Sequence, residues 1–237
     1  MWVKICANTS VEDARLAVEF AADAVGFIFA PSKRQVAVAQ VAEMTAALPD
    51  ALEKIGVFYS TDADELLNAV RACRLTGVQL HSEFEPGLVE RLRVHFGDTG
   101  ESVSILQTVH WNTSLPAEEQ EEHFLQQLSE IDAQGLVSAI LVDSKTAHAS
   151  GGTGVQFDWQ AAARALRNAK TRMVVAGGLN PANVAEAIRS LEPWGVDVAS
   201  GSEISPGKKD AEKVRNFIHN AKAAQAKPTP LSSAATI

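Results

Sequence analysis

The chain has 237 residues, 46% of them hydrophobic, and a formal net charge of -8. So acidic a balance argues against a nucleic-acid or anionic-membrane surface, although backbone amides still bind phosphate in an acidic protein. The two cysteines, Cys6 and Cys73, are too few for a disulfide framework and fit a reducing cytoplasm.

The opening residues, Met1 to Cys6, lack the basic-then-apolar pattern of a signal peptide. No run approaches the ~18 apolar residues of a membrane span.

Short β-branched runs and amphipathic Ala- and Leu-rich stretches alternate from the N-terminus onward. A strand at 2–7 precedes a helix at 10–22, with Ser10 and Asp13 forming a capping signal. Strands at 24–29, 54–59 and 76–81 are followed by helices at 38–48, 62–73 and 86–95. Strands at 103–109 and 138–143 precede helices at 117–130 and 159–168, the latter entered through Asp158. Strands at 172–177 and 195–199 precede helices at 181–190 and 210–221, with Asn180-Pro181 as a cap and first helical residue.

Eight such repeats predict right-handed βαβ units, a parallel sheet and a closed (β/α)8 barrel, whose usual length is about 250 residues. The barrel is expected to occupy 1–222 as a single domain. Residues 223–237, rich in Ala, Lys, Pro, Thr and Ser, read as a flexible tail.

Two connections are long for βα loops. One runs from Trp111 to Pro116. The other, Ser144 to Phe157, holds Gly151-Gly152-Thr153-Gly154 and reads as a hinged lid, against the plainer reading of a variable surface loop.

The last two strands end in small residues, Ala176-Gly177-Gly178 and Ser200-Gly201. Without Cβ atoms in the way, backbone amides there can approach an anion, as in the phosphate site after strands seven and eight of such barrels.

Strand parity puts Lys4 and Cys6 on the barrel interior, with Val3, Ile5 and Ala7 facing the helices. Cys6, with a cation below it, reads either as a site thiol whose thiolate is favoured or as a small buried hydrophobe. Lys4 requires a partner if buried, and Asp197 on the neighbouring strand has matching parity, which predicts a Lys4–Asp197 ion pair.

Asp143 at the end of strand six suits a general acid, or else caps its loop. Arg34 either clamps a carboxylate or phosphate, or is a solvated loop residue. His81 shares inward parity with Gln79 and is either a site residue or a satisfied histidine at the mouth. Cys73 reads as structural. No HExxH, CxxC or GxGxxG appears, so neither a metal nor a dinucleotide is expected from spacing.

Together these segments resemble the phosphoribosylanthranilate isomerase family from Val3 to about Ile218. The resemblance is carried by Val3-Lys4-Ile5-Cys6, Gly26-Phe27-Ile28-Phe29-Ala30-Pro31-Ser32-Lys33-Arg34, Val78-Gln79-Leu80-His81 and Leu141-Val142-Asp143-Ser144. It continues in Gly151-Gly152-Thr153-Gly154, Phe157-Asp158-Trp159, Ala176-Gly177-Gly178-Leu179-Asn180-Pro181 and Ser200-Gly201-Ser202-Glu203-Ile204-Ser205-Pro206-Gly207. Where this chain has Ala7 and Ser82 the family usually has glycine, and Ser202 stands for a common apolar residue.

The resemblance implies an Amadori rearrangement of N-(5-phosphoribosyl)anthranilate in tryptophan biosynthesis, with Asp143 as general acid and Cys6 as general base. It implies no cofactor and no metal. Arg34 and His81 would bind the substrate, Arg34 on the anthranilate carboxylate. Gly177, Gly178, Ser200 and Gly201 would hold the phosphate. A phosphorylated small molecule is the expected partner, and the chain is expected as a cytoplasmic monomer or homodimer. A related isomerase of aminated sugar phosphates, or a non-catalytic barrel that binds a phosphorylated metabolite, are the competing readings.

Overall fold

A computed structural model of the chain describes residues 1–112, 117–146, 149–150 and 169–225. The expected helix at 159–168, its cap Asp158, the Gly151–Gly154 loop and the tail from 226 lie outside these residues.

The strands β1 (Trp2–Ile5), β2 (Ala24–Ile28), β3 (Glu53–Phe58), β4 (Gly77–Leu80), β5 (Ser104–Asn112), β6 (Ala139–Thr146), β7 (Arg172–Val175) and β8 (Gly195–Val198) form one parallel barrel. Each pairs with its sequence neighbour. The barrel closes where β1 meets β8, with Lys4 in register with Asp197.

The helices are α1 (Val11–Glu19), α2 (Val38–Ala46), α3 (Ala63–Cys73), α4 (Pro86–Thr99), α5 (Ala117–Gln134), α6 (Val184–Leu191) and α7 (Ala211–Gln225). They cover the outside. The larger apolar core, including Val3, Ile5, Val25, Phe27, Val78, Leu80, Ile105, Ile140, Val196 and Phe217, lies between strands and helices. A smaller cluster of Trp2, Ala24, Ile55, Leu106, Ala139, Leu141, Val174 and Ala176 fills the barrel itself. The two sets alternate along each strand, as period-2 parity requires.

Local chemistry explains most element ends. Ser10 Oγ accepts the Asp13 amide at 3.1 Å and caps α1. Gly100, with φ 69°, terminates α4 in the left-handed conformation. The expected start of α6 at Pro181 needs correction. Asn180 Oδ1 accepts the amides of Ala182 and Asn183, closing a side-chain turn, and the helix begins only at Val184.

β5 runs through Asn112, into the segment expected as a loop. The last helix continues through Gln225, four residues past the expected end, because Lys222, Ala223, Ala224 and Gln225 are good helix formers.

Candidate active site

The C-terminal ends of the strands form the mouth, and Cys6 stands just past the end of β1. Its amide donates to Val198 O at 2.8 Å, and its carbonyl accepts from Lys209 Nζ at 2.5 Å. Asn8 folds back beneath it, donating from Nδ2 to Ile5 O and Gly26 O at 2.8 and 3.2 Å.

A Cβ at Gly26 would lie 2.6 Å from Cys6 Sγ and 2.9 Å from Lys4 Cε, so this glycine leaves the space that thiol and cation occupy. Ala7 holds φ 65°. That left-handed conformation explains why glycine suits this position and why alanine there carries strain.

Beneath the thiol, Lys4 is wholly buried. Its Nζ lies 3.1 Å from Asp197 Oδ2 and donates to Gln79 Oε1 at 2.8 Å. The ion pair expected from parity is therefore present. Gln79 Nε2 donates onward to Thr108 Oγ1 at 3.1 Å, so polar contacts cross the barrel from β8 to β5.

Burial alone would lower the Lys4 ammonium pKa. The Asp197 carboxylate, and secondarily Cys6, more than offset it and leave Lys4 above its ordinary value. Burial raises the Cys6 thiol; Lys4 and Lys209 pull it down and Asp197 pushes it up. The net shift is upward: the cation below it has the expected sign but is outweighed by desolvation and by its own counterion. Cys73 is structural, as expected. Its Sγ contacts Val38 O, and burial pushes its thiol up to about 11.

Asp143, buried on β6, lies in register with His110 on β5. Cys6, Asp143, Arg34, His81, Gln79, Tyr59 and Asp197 line one cavity of ≈ 370 Å³. Arg34 reaches it from the loop after β2. Its Nε and Nη2 donate to the two Glu203 carboxylate oxygens at 2.8 and 2.7 Å. These bonds, foremost, raise the Arg34 pKa.

Glu203 and Lys209 belong to a short hairpin after β8, Glu203–Ser205 paired with Lys208–Lys209. Lys209, despite Glu203 at 3.7 Å, is held below its ordinary pKa by burial. Neither residue had a role in the sequence reading. No strand parity governs a hairpin, so nothing in the pattern pointed to them.

A second cavity, ≈ 40 Å³, adjoins the first and is lined by Asp143, Ala176, Gly177, Gly178, Leu179, Asp197, Ala199 and Ser200. Gly177 and Gly178 have φ of 81° and 69°. Among the described residues no acceptor takes the amides of Gly177, Gly178, Ser200 or Gly201. Gly201 packs against the backbone of the other loop: a Cβ would lie 1.9 Å from Leu179 O. Another cavity, ≈ 700 Å³, is at the opposite end of the barrel among Trp2, Arg93, Arg172 and Trp194, away from Cys6 and Asp143.

Residues 3–220 match the model of the N-(5'-phosphoribosyl)anthranilate isomerase family. The chain belongs to the phosphoribosylanthranilate isomerase family. The family member of Trichlorobacter lovleyi is 39% identical over 226 residues, which cover 94% of this chain and 98% of the relative. That of Bacillus cereus strain Q1 is 35% identical over 226 residues, with the same coverage of 94% and 98%.

The solved phosphoribosylanthranilate isomerase of Thermotoga maritima superposes with a TM-score of 0.78 at 33% identity, covering 94% of this chain and 99% of that one. Another, in complex with reduced 1-(o-carboxyphenylamino)-1-deoxyribulose 5-phosphate, gives 0.76 at 32% identity, again over 94% and 99%. The activity is accordingly that of a phosphoribosylanthranilate isomerase in tryptophan biosynthesis, on a single-domain (β/α)8 barrel. Among the described residues no helix is long and apolar enough to cross a membrane.

Proposed function

We propose that the isomerisation takes place at this mouth, with Asp143 as general acid and Cys6 as general base. The observation that carries the proposal is that both residues line one cavity, which adjoins the glycine-lined one along Asp143, Asp197 and Ala199. A phosphorylated sugar can then have its phosphate on the amides of Gly177, Gly178, Ser200 and Gly201 while its reacting carbons lie between acid and base. The ≈ 370 Å³ cavity is within the roughly 300–1,000 Å³ usual for small-molecule sites.

Asp143 protonates the furanose ring oxygen as the ring opens to a Schiff base. Cys6, as thiolate, removes the C2 proton, and the enolamine that results tautomerises to the ketone. Lys4 and Lys209 favour the thiolate electrostatically, which partly offsets its burial. Arg34 is committed to Glu203 through Nε and Nη2. Its Nη1–Nη2 edge receives the anthranilate carboxylate, and Glu203 fixes the plane in which that edge is presented. His81 contacts the substrate from the β4 side of the mouth. The two free thiols, Cys6 and Cys73, support a cytoplasmic setting.

Cys6→Ala and Asp143→Asn test the assignment. Each should lower kcat by about 10²–10⁴-fold while leaving binding of a reduced product analogue within a few-fold, the usual scale for removing a proton-transfer group. Near-normal turnover in either variant would refute that residue's role.

A further inference from the structure

The Cys6 turn, the loop after β8 and Arg34 converge on one side chain that belongs to none of them. The Lys209 side chain is wholly buried. An ammonium has three hydrogens to give and accepts none. Three acceptors stand around Lys209 Nζ: Cys6 O at 2.5 Å, Ala199 O at 3.2 Å and Ser202 Oγ at 3.2 Å. The first lies just past β1, and the other two flank Ser200 and Gly201. Glu203 Oε1, 3.7 Å away, supplies the counter-charge, and the same carboxylate accepts the two bonds from Arg34.

The path of the chain brings Lys209 there. Ser200–Ser202 form one turn of 3-10 helix after β8, and Glu203 then pairs in register with Lys209 across the hairpin. The Asp210 amide donates to Ser202 O at 3.0 Å, so the chain returns to the turn it has just left. Thr9 Oγ1 donates to Gly207 O at 2.5 Å and ties the hairpin to the segment after β1.

Packing alone does not call for a lysine at this position. Replacing a buried ion with an apolar side chain of similar volume is often neutral or stabilising. What the ammonium adds is direction. The Ala199 carbonyl is turned to Lys209, so the N–H of the same trans peptide, that of Ser200, points the opposite way. Ala199 and Ser200 line the ≈ 40 Å³ cavity. Ser202 Oγ accepts from Lys209 and gives its own hydrogen to Ala199 O at 2.8 Å, which fixes that carbonyl a second time.

We propose that Lys209 is a positioning residue for the isomerisation: its ammonium sets the spacing between Cys6 and the loop of Ser200 and Gly201, and so between the proton-transfer end and the phosphate end of the substrate. The proposal rests on the roles given above to Cys6 and to the glycine-bearing loops. A displacement near 1 Å between such elements costs on the order of 10²-fold in rate.

The test combines steady-state kinetics, competitive inhibition by inorganic phosphate and the pH midpoint of Cys6 alkylation. Lys209→Met should lower kcat by about a hundredfold and raise the phosphate inhibition constant several-fold. It should also move the Cys6 midpoint upward, because Lys209 draws the thiol down. Loss of folded protein scales kcat but moves neither the inhibition constant nor the midpoint, so those two readings separate positioning from stability. Ser202→Ala keeps the charge and removes one leg of the tie. It should weaken phosphate several-fold with the midpoint unmoved, and it decides the matter if Lys209→Met does not fold. Lys208→Gln removes the same charge from the exposed neighbour and should leave all three readings unchanged.

A folded Lys209→Met with wild-type kcat and phosphate inhibition would overturn the proposal, as would Ser202→Ala with wild-type phosphate inhibition. Equal losses in Lys208→Gln would reduce the effect to net charge and overturn it too. Cys6→Ala with near-normal turnover would instead show that the base assignment had failed, and would bring the proposal down with it whatever the phosphate readings.

Discussion

Gly201→Ala is the sharpest probe of the phosphate end. Gly201 is not held in a left-handed conformation; what it supplies is the absence of a side chain where two loops meet. A Cβ there would lie 1.9 Å from Leu179 O, 2.9 Å from Leu179 C and 3.0 Å from Asn180 Cα. All three atoms are backbone, so no rotamer change relieves the contact. Restoring even a 3.0 Å separation moves the β7 and β8 loops apart by 3.0 − 1.9 = 1.1 Å.

Overpacking of this kind costs about 1–3 kcal/mol of stability, which leaves a folded protein. The functional cost is larger. In the proposed phosphate site the amides of Gly177, Gly178, Ser200 and Gly201 would converge on one phosphate only at the native loop spacing, and a displacement near 1 Å in a positioning element costs on the order of 10²-fold in rate. Steady-state kinetics followed by anthranilate-type fluorescence should show kcat/KM down by about a hundredfold, and inorganic phosphate should weaken in parallel as a competitive inhibitor. Gly97→Ala, in α4, is the control: nothing lies within 4 Å of its Cβ, and activity should be unchanged. Gly201→Ala that folds and keeps wild-type kcat/KM would refute the placement of the phosphate between these loops.

Lys4→Met strips the buried Asp197 and Gln79 of their cation and should destabilise the protein by about 3–5 kcal/mol. The Cys6 thiol should also move further upward, so that its alkylation midpoint lies at higher pH than in the wild type; an unchanged midpoint would deny Lys4 its electrostatic role. Ala7→Gly should stabilise by about 1 kcal/mol in urea unfolding, because φ 65° strains alanine and not glycine.

Asp132 accepts from Thr171 N, Thr171 Oγ1 and Lys170 N, and although burial acts to raise its carboxyl pKa these bonds outweigh it and hold it low. Its stabilisation is therefore present above the unfolded carboxyl value of about 3.9 and is lost as pH falls through the lower folded value. Asp132→Asn should cost about 1 kcal/mol at pH 7, a figure discounted for partial exposure, and should flatten the acid limb of the unfolding profile.

The parts legible in the sequence were those with a period. Alternation of β-branched and amphipathic runs gave the barrel, and parity placed Lys4, Cys6, Gln79, His81 and Asp197 inside it. Asn180 shows where pattern misleads. Asn-Pro is a sound helix-start signal, but here the side chain closes a turn with Ala182 and Asn183 and delays α6 to Val184. Arg34 shows a different limit. Its segment marked it as a fork for an anion, but its partner, Glu203, is 169 residues away on a hairpin with no periodicity to betray it. Cys6 shows a third: parity supplied the cation beneath it, but the balance of charge and desolvation depends on how deeply all of them are buried, which no strand pattern encodes.

The barrel interior explains why these limits fall where they do. Its lower layers are apolar: Trp2, Ala24, Ile55, Leu106, Ala139, Leu141 and Val174 pack on one another and need no specific partner. One residue pair further along the same strands, Lys4, Gln79, Thr108 and Asp197 replace them, and every polar atom there must find its complement or carry a desolvation cost. At the next level Cys6, His81, His110 and Asp143 meet at the mouth. Moving up a strand by two residues keeps the face and changes the chemistry from packing to pairing to the proposed proton transfer. Parity fixes the face for all three layers. It says nothing about which partner arrives from across the barrel, and the chemistry of this enzyme depends on those cross-barrel meetings.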